Sequence, residues 1–232
     1  TNSTIMKLIK ILSIFMVMAF ASCEKDNYDA PTAGLSGKFI DAETGDPVQQ
    51  DIIRGTQIEL IEHGYDPVSP QFLLVKNDGS YENSLLFANT YTVRPVRGNF
   101  IPVEPQDIQI NSSTVLDFPV TPFIRILTPK IEKSGTKVIA TFNLEQNVLN
   151  EVSKIGLYAH SDSRVGEPMR LFATEQQLNS VSDPATTYTL EIDLAANSTV
   201  LKPGNSYYFR IGALISVGEA KLNYAPAVKI DL

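Results

Sequence analysis

Two histidines, one cysteine and a few clustered acids are the side chains in this 232-residue chain that could do chemistry. His63 and His160 stand far apart, without partners at metal-ligand spacing, so no metal site is expected. No serine sits in a Gly-x-Ser-x-Gly elbow, and no Gly-rich phosphate loop is present. Asp41, Glu43 and Asp46 cluster in one segment. Carboxylates so grouped could hold a hard cation, and paired acids can cleave glycosidic bonds. Counting from Asp41, however, no glycine falls at the sixth position and no glutamate at the twelfth, as an EF-hand requires. Solvated turn residues are the simpler reading. No catalytic residue and no cofactor is expected.

Aromatic residues are the remaining lead, because sugar rings stack their apolar faces on them while polar neighbours take the hydroxyls. Tyr65 and Phe72 flank a Pro-containing loop, Gly64 to Gln71. Arg94, Arg97, Asn99 and Phe100 lie in or beside another. Tyr65, Phe72, Arg97, Asn99 and Phe100 are the candidate ligand-binding residues.

The cysteine has a different chemistry. From Met6, two lysines (Lys7, Lys10) lead an apolar run through Phe20, and Ala21-Ser22 precede Cys23. That is the three-part layout of a secretory signal peptide. Phe20-Ala21-Ser22-Cys23 resembles the bacterial lipobox, in which the cysteine is acylated. The run is shorter than the ~20 residues that span a bilayer, so a transmembrane helix is the weaker reading. Thr1 to Ile5 precede the expected start methionine. Residues 23–33 are polar at first, reach Pro31, and read as a tether. Its Cys-Glu-Lys-Asp opening resembles the tags of surface-exposed Bacteroides-type lipoproteins. The expected location is the outer membrane, lipid-anchored at Cys23 and exposed at the cell surface. Bacterial lipoproteins carry two or three acyl chains, and more than one makes anchoring stable. Acylation leaves no thiol, so no disulfide supports the fold.

Beyond the tether, short segments rich in Val, Ile, Tyr, Phe and Thr alternate with Gly, Pro, Asn and Asp clusters, which predicts an all-β chain. Only Glu175–Ser180 and Glu145–Ser153 could hold a helical turn. Two β-sandwich domains are expected, at 34–121 and 122–232. In the first, strands are predicted at Leu35–Asp41, Gln57–Glu62, Gln71–Val75, from Tyr81, at Thr90–Pro95, Gln106–Ile110 and Ser113–Val120. In the second they fall at Lys137–Leu144, Lys154–His160, Met169–Thr174, Thr187–Leu194, Ser206–Ser216 and Ala227–Leu232. Pro119, Pro122 and Pro129 punctuate the junction, but Phe118, Phe123, Ile124, Ile126 and Leu127 make it apolar. A packed connection is therefore expected, since exposing such side chains forfeits ~1.5–3 kcal/mol each.

Gly-x-Phe-x-Asp-x-x-Thr-Gly-x-Pro-Val at Gly37–Val48, with Asp78-Gly79-x-Tyr81 and Tyr91-Thr92-Val93, resembles the carboxypeptidase-regulatory, prealbumin-like sandwich. The stretch Asp78 to Val93, followed by Pro95, Gly98, Phe100 and Pro102, is similar to the family called domain of unknown function 3823. These are Bacteroides-type lipoproteins found with polysaccharide-utilisation systems. Asn89 stands where that resemblance leads one to expect glycine. Leu201-Lys202-Pro203-Gly204-Asn205-Ser206-Tyr207 resembles the corner before strand F of fibronectin type III domains. There Leu201 would plug the core and Tyr207 would hydrogen-bond the backbone upstream. The chain has no tryptophan to supply the usual core residue.

Charge excludes some partners. The whole chain carries a net −7, and loss of Lys7 and Lys10 with the signal takes 19 basic residues to 17 against 26 acidic, or −9. Nucleic acid needs a basic footprint and is not expected. The family resemblance implies a non-catalytic surface lipoprotein that assists polysaccharide binding or import, alone or packed against an outer-membrane transporter complex. The alternative is a structural or adhesive accessory that binds a protein partner, for instance by adding its strand to an exposed sheet edge.

Overall fold

A computed structural model describes residues 29–232. Pro31–Leu232 forms one compact unit that contains two β-sandwiches. The first comprises β1 (Ala33–Asp41), β2 (Gln57–Glu62), β3 (Gln71–Leu74), β4 (Ser80–Leu86), β5 (Asn89–Val96), β6 (Gln106–Ile110), β7 (Thr114–Val115) and β8 (Phe118–Val120). The second comprises β9 (Ile124–Ser134), β10 (Lys137–Gln146), β11 (Val152–His160), β12 (Phe172–Ser180), β13 (Tyr188–Asp193), β14 (Ser206–Ile215), β15 (Asn223–Tyr224) and β16 (Val228–Asp231).

In the first sandwich, one sheet runs β4-β1-β7, with β8 also parallel to β1; the other runs β3-β2-β5-β6 and is antiparallel. Alternation in the sequence decides which side chains face inward. Ile58 and Leu60 of β2 and Tyr91 and Val93 of β5 are buried, and the residues between them point to the opposite face. Phe39 stacks on Phe100 and Phe118, with ring centroids 5.0 and 5.1 Å away. The Asp78-Gly79 turn needs its glycine twice over. Its φ is 82°, and a Cβ would meet the Val48 carbonyl oxygen at 2.6 Å. Asn89 opens β5, where its side chain donates to Glu62 Oε1 and the His63 carbonyl.

The second sandwich pairs a β13-β10-β9 sheet with a β12-β11-β14-β15 sheet, to which β16 adds on β14. This is an Ig-like arrangement whose fourth strand, β12, lies beside the third. The corner before β14 forms as its residues suggest. Leu201 is fully buried. Tyr207 Oη accepts from the Lys202 N–H at 2.9 Å and donates to the Val200 carbonyl at 3.3 Å.

Three expectations need correction. Neither Glu175–Ser180 nor Glu145–Ser153 is helical. The first lies in β12, whose Gln and Glu residues are tolerated because an edge strand keeps one side in water; its pairing with β11 overrides propensity. The second is the end of β10, a bend and the start of β11. The strand expected from Met169 starts only at Phe172. The apolar junction runs from β8 into β9: Phe118 of β8, Phe123 between the strands and Ile124 of β9 are buried, and Ile126 and Leu127 of β9 are half-buried. Pro129 is accommodated because β9 is an edge strand and bulges there: Thr128 takes a φ of 47° where the register with β10 shifts.

Candidate functional site

The five residues singled out from sequence do not meet at one place. Asn99 and Phe100 do not line a surface at all. Asn99 is 0% exposed and Phe100 is a core ring, so neither side chain is open to a ligand. Tyr65 is 63% exposed, in the loop after β2. Its phenol lies close enough to contribute to raising the Tyr91 hydroxyl to about 12, behind the larger effects of burial and of Glu62. Arg97 is exposed with a φ of 56°, just past the other end of β5. Eight extended residues separate these ends by roughly 24 Å.

Phe72 is placed differently. It lies on β3, directly opposite Glu59 of β2, which in turn lies opposite Arg94 of β5. Residues paired this way project to the same face. Because Ile58, Leu60 and Val93 fill the core, Phe72, Glu59 and Arg94 project outward in one row. Phe72 is 52% exposed. Arg94 Nε donates to Glu59 Oε2 at 2.7 Å, and its Nη2 reaches the same oxygen. Of the five guanidinium donors, others remain for a ligand on this half-exposed side chain.

A second row on the same face runs Ile61, Thr92 and Asp107, from β2 through β5 to β6. Thr92 Oγ1 lies 2.6 Å from Asp107 Oδ1 and 2.8 Å from His63 Nε2. An ionised carboxylate only accepts, so Thr92 donates to Asp107 and accepts from His63. That assigns the His63 proton to Nε2. The strand pattern thus builds an open face of one aromatic ring, a shielded ion pair and a chain of hydroxyl, imidazole and carboxylate groups. Such a surface suits stacking and hydrogen bonding to a flat polyhydroxylated ligand.

Asn99 has a different role, one that sequence reading missed. The Asp46–Thr56 segment and the start of the β5–β6 loop meet the second sandwich across a hydrogen-bonded seam. Asn99 Nδ2 donates to the carbonyls of Gln49 (2.8 Å) and Leu222 (3.0 Å), and Gln50 donates to Asn99 Oδ1. Asn223 Nδ2 returns a bond to the Asn99 carbonyl at 2.8 Å. Arg210, on the outward face of β14, is fully buried by this contact. All five of its N–H groups are met: by the carbonyls of Gln50, Asn77, Val165 and Ala225, and by Gln49 Oε1. Its guanidinium also lies 4.3 Å from the Tyr224 ring centroid, and Tyr224 donates to Asp51 at 2.9 Å.

The acidic cluster belongs to this seam as well. Asp41 takes Arg125 of β9 in a two-point pair, and Glu43 also reaches that guanidinium. Asp41 is held below the usual carboxylate range: burial pushes it up, but hydrogen bonding and charge from Arg125, with the Glu43 N–H, outweigh it. A cavity of about 400 Å³ opens beside the pair, walled mainly by Pro47, Val48, Ile124, Ile126, Leu127 and Pro226. Among the described residues no group of three or more His, Cys, Asp or Glu is placed to hold a metal ion. His160 accepts from the Asp162 N–H at 2.9 Å and caps its own turn. Cys23 lies outside the described residues.

Comparison with known proteins decides the family. The family described as "Protein of unknown function (DUF3823) N-terminal domain" matches residues 33–121, and "Domain of unknown function (DUF3823_C)" matches 124–229. The chain belongs to the DUF3823 family. A Bacteroides uniformis ATCC 8492 protein, provisionally named as carbohydrate binding, is 40% identical with a TM-score of 0.82, covering 87% of this chain and 100% of that one. DUF3823 proteins from Parabacteroides merdae ATCC 43184 (21% identity, TM-score 0.75, 88% and 100% covered) and Bacteroides ovatus ATCC 8483 (24%, 0.72, 86% and 99%) share the fold. No curated protein matches the chain.

Proposed function

We propose that this DUF3823 protein is a non-catalytic lipoprotein of the outer membrane, exposed at the cell surface, that binds polysaccharide and assists its capture or import. The observation that carries the binding role is the outward row of Phe72, Glu59 and Arg94 on the β3-β2-β5-β6 sheet. An exposed ring offers stacking, and the adjoining ion pair offers directional hydrogen bonds, the combination that fixes a sugar's orientation. The 40%-identical Bacteroides uniformis protein, provisionally named for carbohydrate binding, supports this reading. Anchoring rests on the sequence around Cys23, and delivery to an outer-membrane transporter is its natural extension.

Two measurements test the proposal. Cys23→Ala should move the protein from the membrane fraction to the soluble one; retention in the outer membrane after a carbonate wash would exclude lipid anchoring. Phe72→Ala should abolish retardation by polysaccharide in affinity gels; an unchanged mobility shift would remove this face from the binding role.

One observation favours a second reading, an accessory that binds protein. β3 is an edge strand hydrogen-bonded to β2 on one side, so its other side could accept a partner's strand. Proline or lysine placed on that edge should then cost partner binding and leave carbohydrate binding intact.

A further inference from the structure

We infer that the ligand of this face is an uncharged, extended glycan laid across the strands from Phe72 to Asp107, and that anionic polysaccharides are excluded. The inference rests on the carbohydrate reading above and deepens it. Phe72 stands on β3 and Asp107 on β6, the two outer strands of the sheet. Three inter-strand spacings and a two-residue step along the strands separate them, roughly 16 Å. One sugar ring cannot touch both, whereas a short oligosaccharide can. The groups between them are graded: apolar at Phe72 and Ile61, then Arg94, then Thr92 and Asp107.

Charge selects the class. Arg94 is the cation standing on this row, and Glu59 already neutralises it through two contacts to one oxygen. Lys76 reaches back to Glu82 on the other sheet, and Arg97 lies past the end of β5. Asp107 is 64% exposed along its side chain, and the group facing it is His63, a cation only when protonated. Thr92 occupies one Asp107 oxygen, which leaves the second to accept from a ligand hydroxyl. A uronate or sulfated chain would set its own negative charges against Asp107 on a protein of net −7. A neutral chain meets an acceptor at one end, a shielded donor in the middle and a ring at the other end.

Affinity electrophoresis of the soluble Cys23→Ala chain tests this, with xylan, mannan, β-glucan and starch as neutral probes and polygalacturonate, alginate and chondroitin sulfate as anionic ones, all at low salt. At least one neutral polysaccharide should retard the chain, with an affinity about tenfold or more above that for any anionic one. Asp107→Ala should weaken the neutral interaction about tenfold, the scale of one hydrogen bond to a charged group, and Asp107→Asn should weaken it less. Binding of an anionic probe as tight as that of any neutral one would overturn the inference while leaving the carbohydrate reading in place. Neutral binding untouched by Asp107→Ala would overturn the cross-strand placement. No retardation by either class would remove the carbohydrate reading and this inference with it.

Discussion

Arg125 grips Asp41 across the domain boundary: Nε lies 2.6 Å from Oδ2 and Nη2 lies 2.9 Å from Oδ1, between residues 84 positions apart. The geometry is bidentate and both side chains are over nine-tenths buried. Removing one partner of a buried pair costs about 3–5 kcal/mol when nothing else compensates. Glu43 and Glu145 still face Arg125, so Asp41→Asn should cost less, about 2 kcal/mol, by denaturant titration. The pH dependence follows from the lowered folded-state pKa of Asp41. The stability it supplies is complete above its unfolded value, about 4, and is lost as pH falls through the lower folded value. Asp41→Asn should therefore flatten the acid limb of the stability profile below about pH 4. An acid limb identical to that of the parent chain would contradict the assignment.

Arg210 should be the least replaceable residue of the seam. Four backbone carbonyls and Gln49 Oε1 depend on it, and lysine has only three donors on a point charge. Arg210→Lys should cost roughly 2–3 kcal/mol and Arg210→Leu about 4 kcal/mol or more, because buried acceptors are left unmet. Calorimetry of either variant showing a melting temperature within error of the parent would rule out this role.

Tyr207→Phe removes a hydroxyl that both accepts from Lys202 and donates to Val200. A loss of roughly 1 kcal/mol or slightly more is expected. Because Tyr207 packs in the core of the second sandwich, hydrogen exchange should show the loosening first in β14 and β16.

Phe72→Ala should be nearly neutral for folding, within about 0.5 kcal/mol, since the ring is half in water and Leu73, not Phe72, enters the core. This separates binding from stability. A substantial drop in melting temperature would mean that the ring has a packing role and that loss of ligand binding in this variant cannot be read as loss of contact.

The alternation of apolar and polar residues, read from sequence, was enough to place most strands and to identify two sandwiches, because side-chain period follows from extended backbone geometry. Local signals also carried the corner at Tyr207 and the turns at Gly45 and Gly79, since these depend on a few neighbouring residues. Pairing over long distances could not be read. Glu175–Ser180 has helix-compatible residues and becomes a strand only because β11 supplies hydrogen bonds from elsewhere in the chain. The apolar stretch after Pro122 resembled a junction, and β10 makes it a strand. Asn99 and Phe100 look like loop residues until folding places one in the seam and the other against Phe39. Asp41 and Glu43 read as a solvated turn, because their partner, Arg125, is brought close only by tertiary structure. Phe72 was visible as an exposed aromatic, but Glu59, Arg94, Thr92 and Asp107 became its neighbours through strand register, a property of paired strands rather than of any one segment.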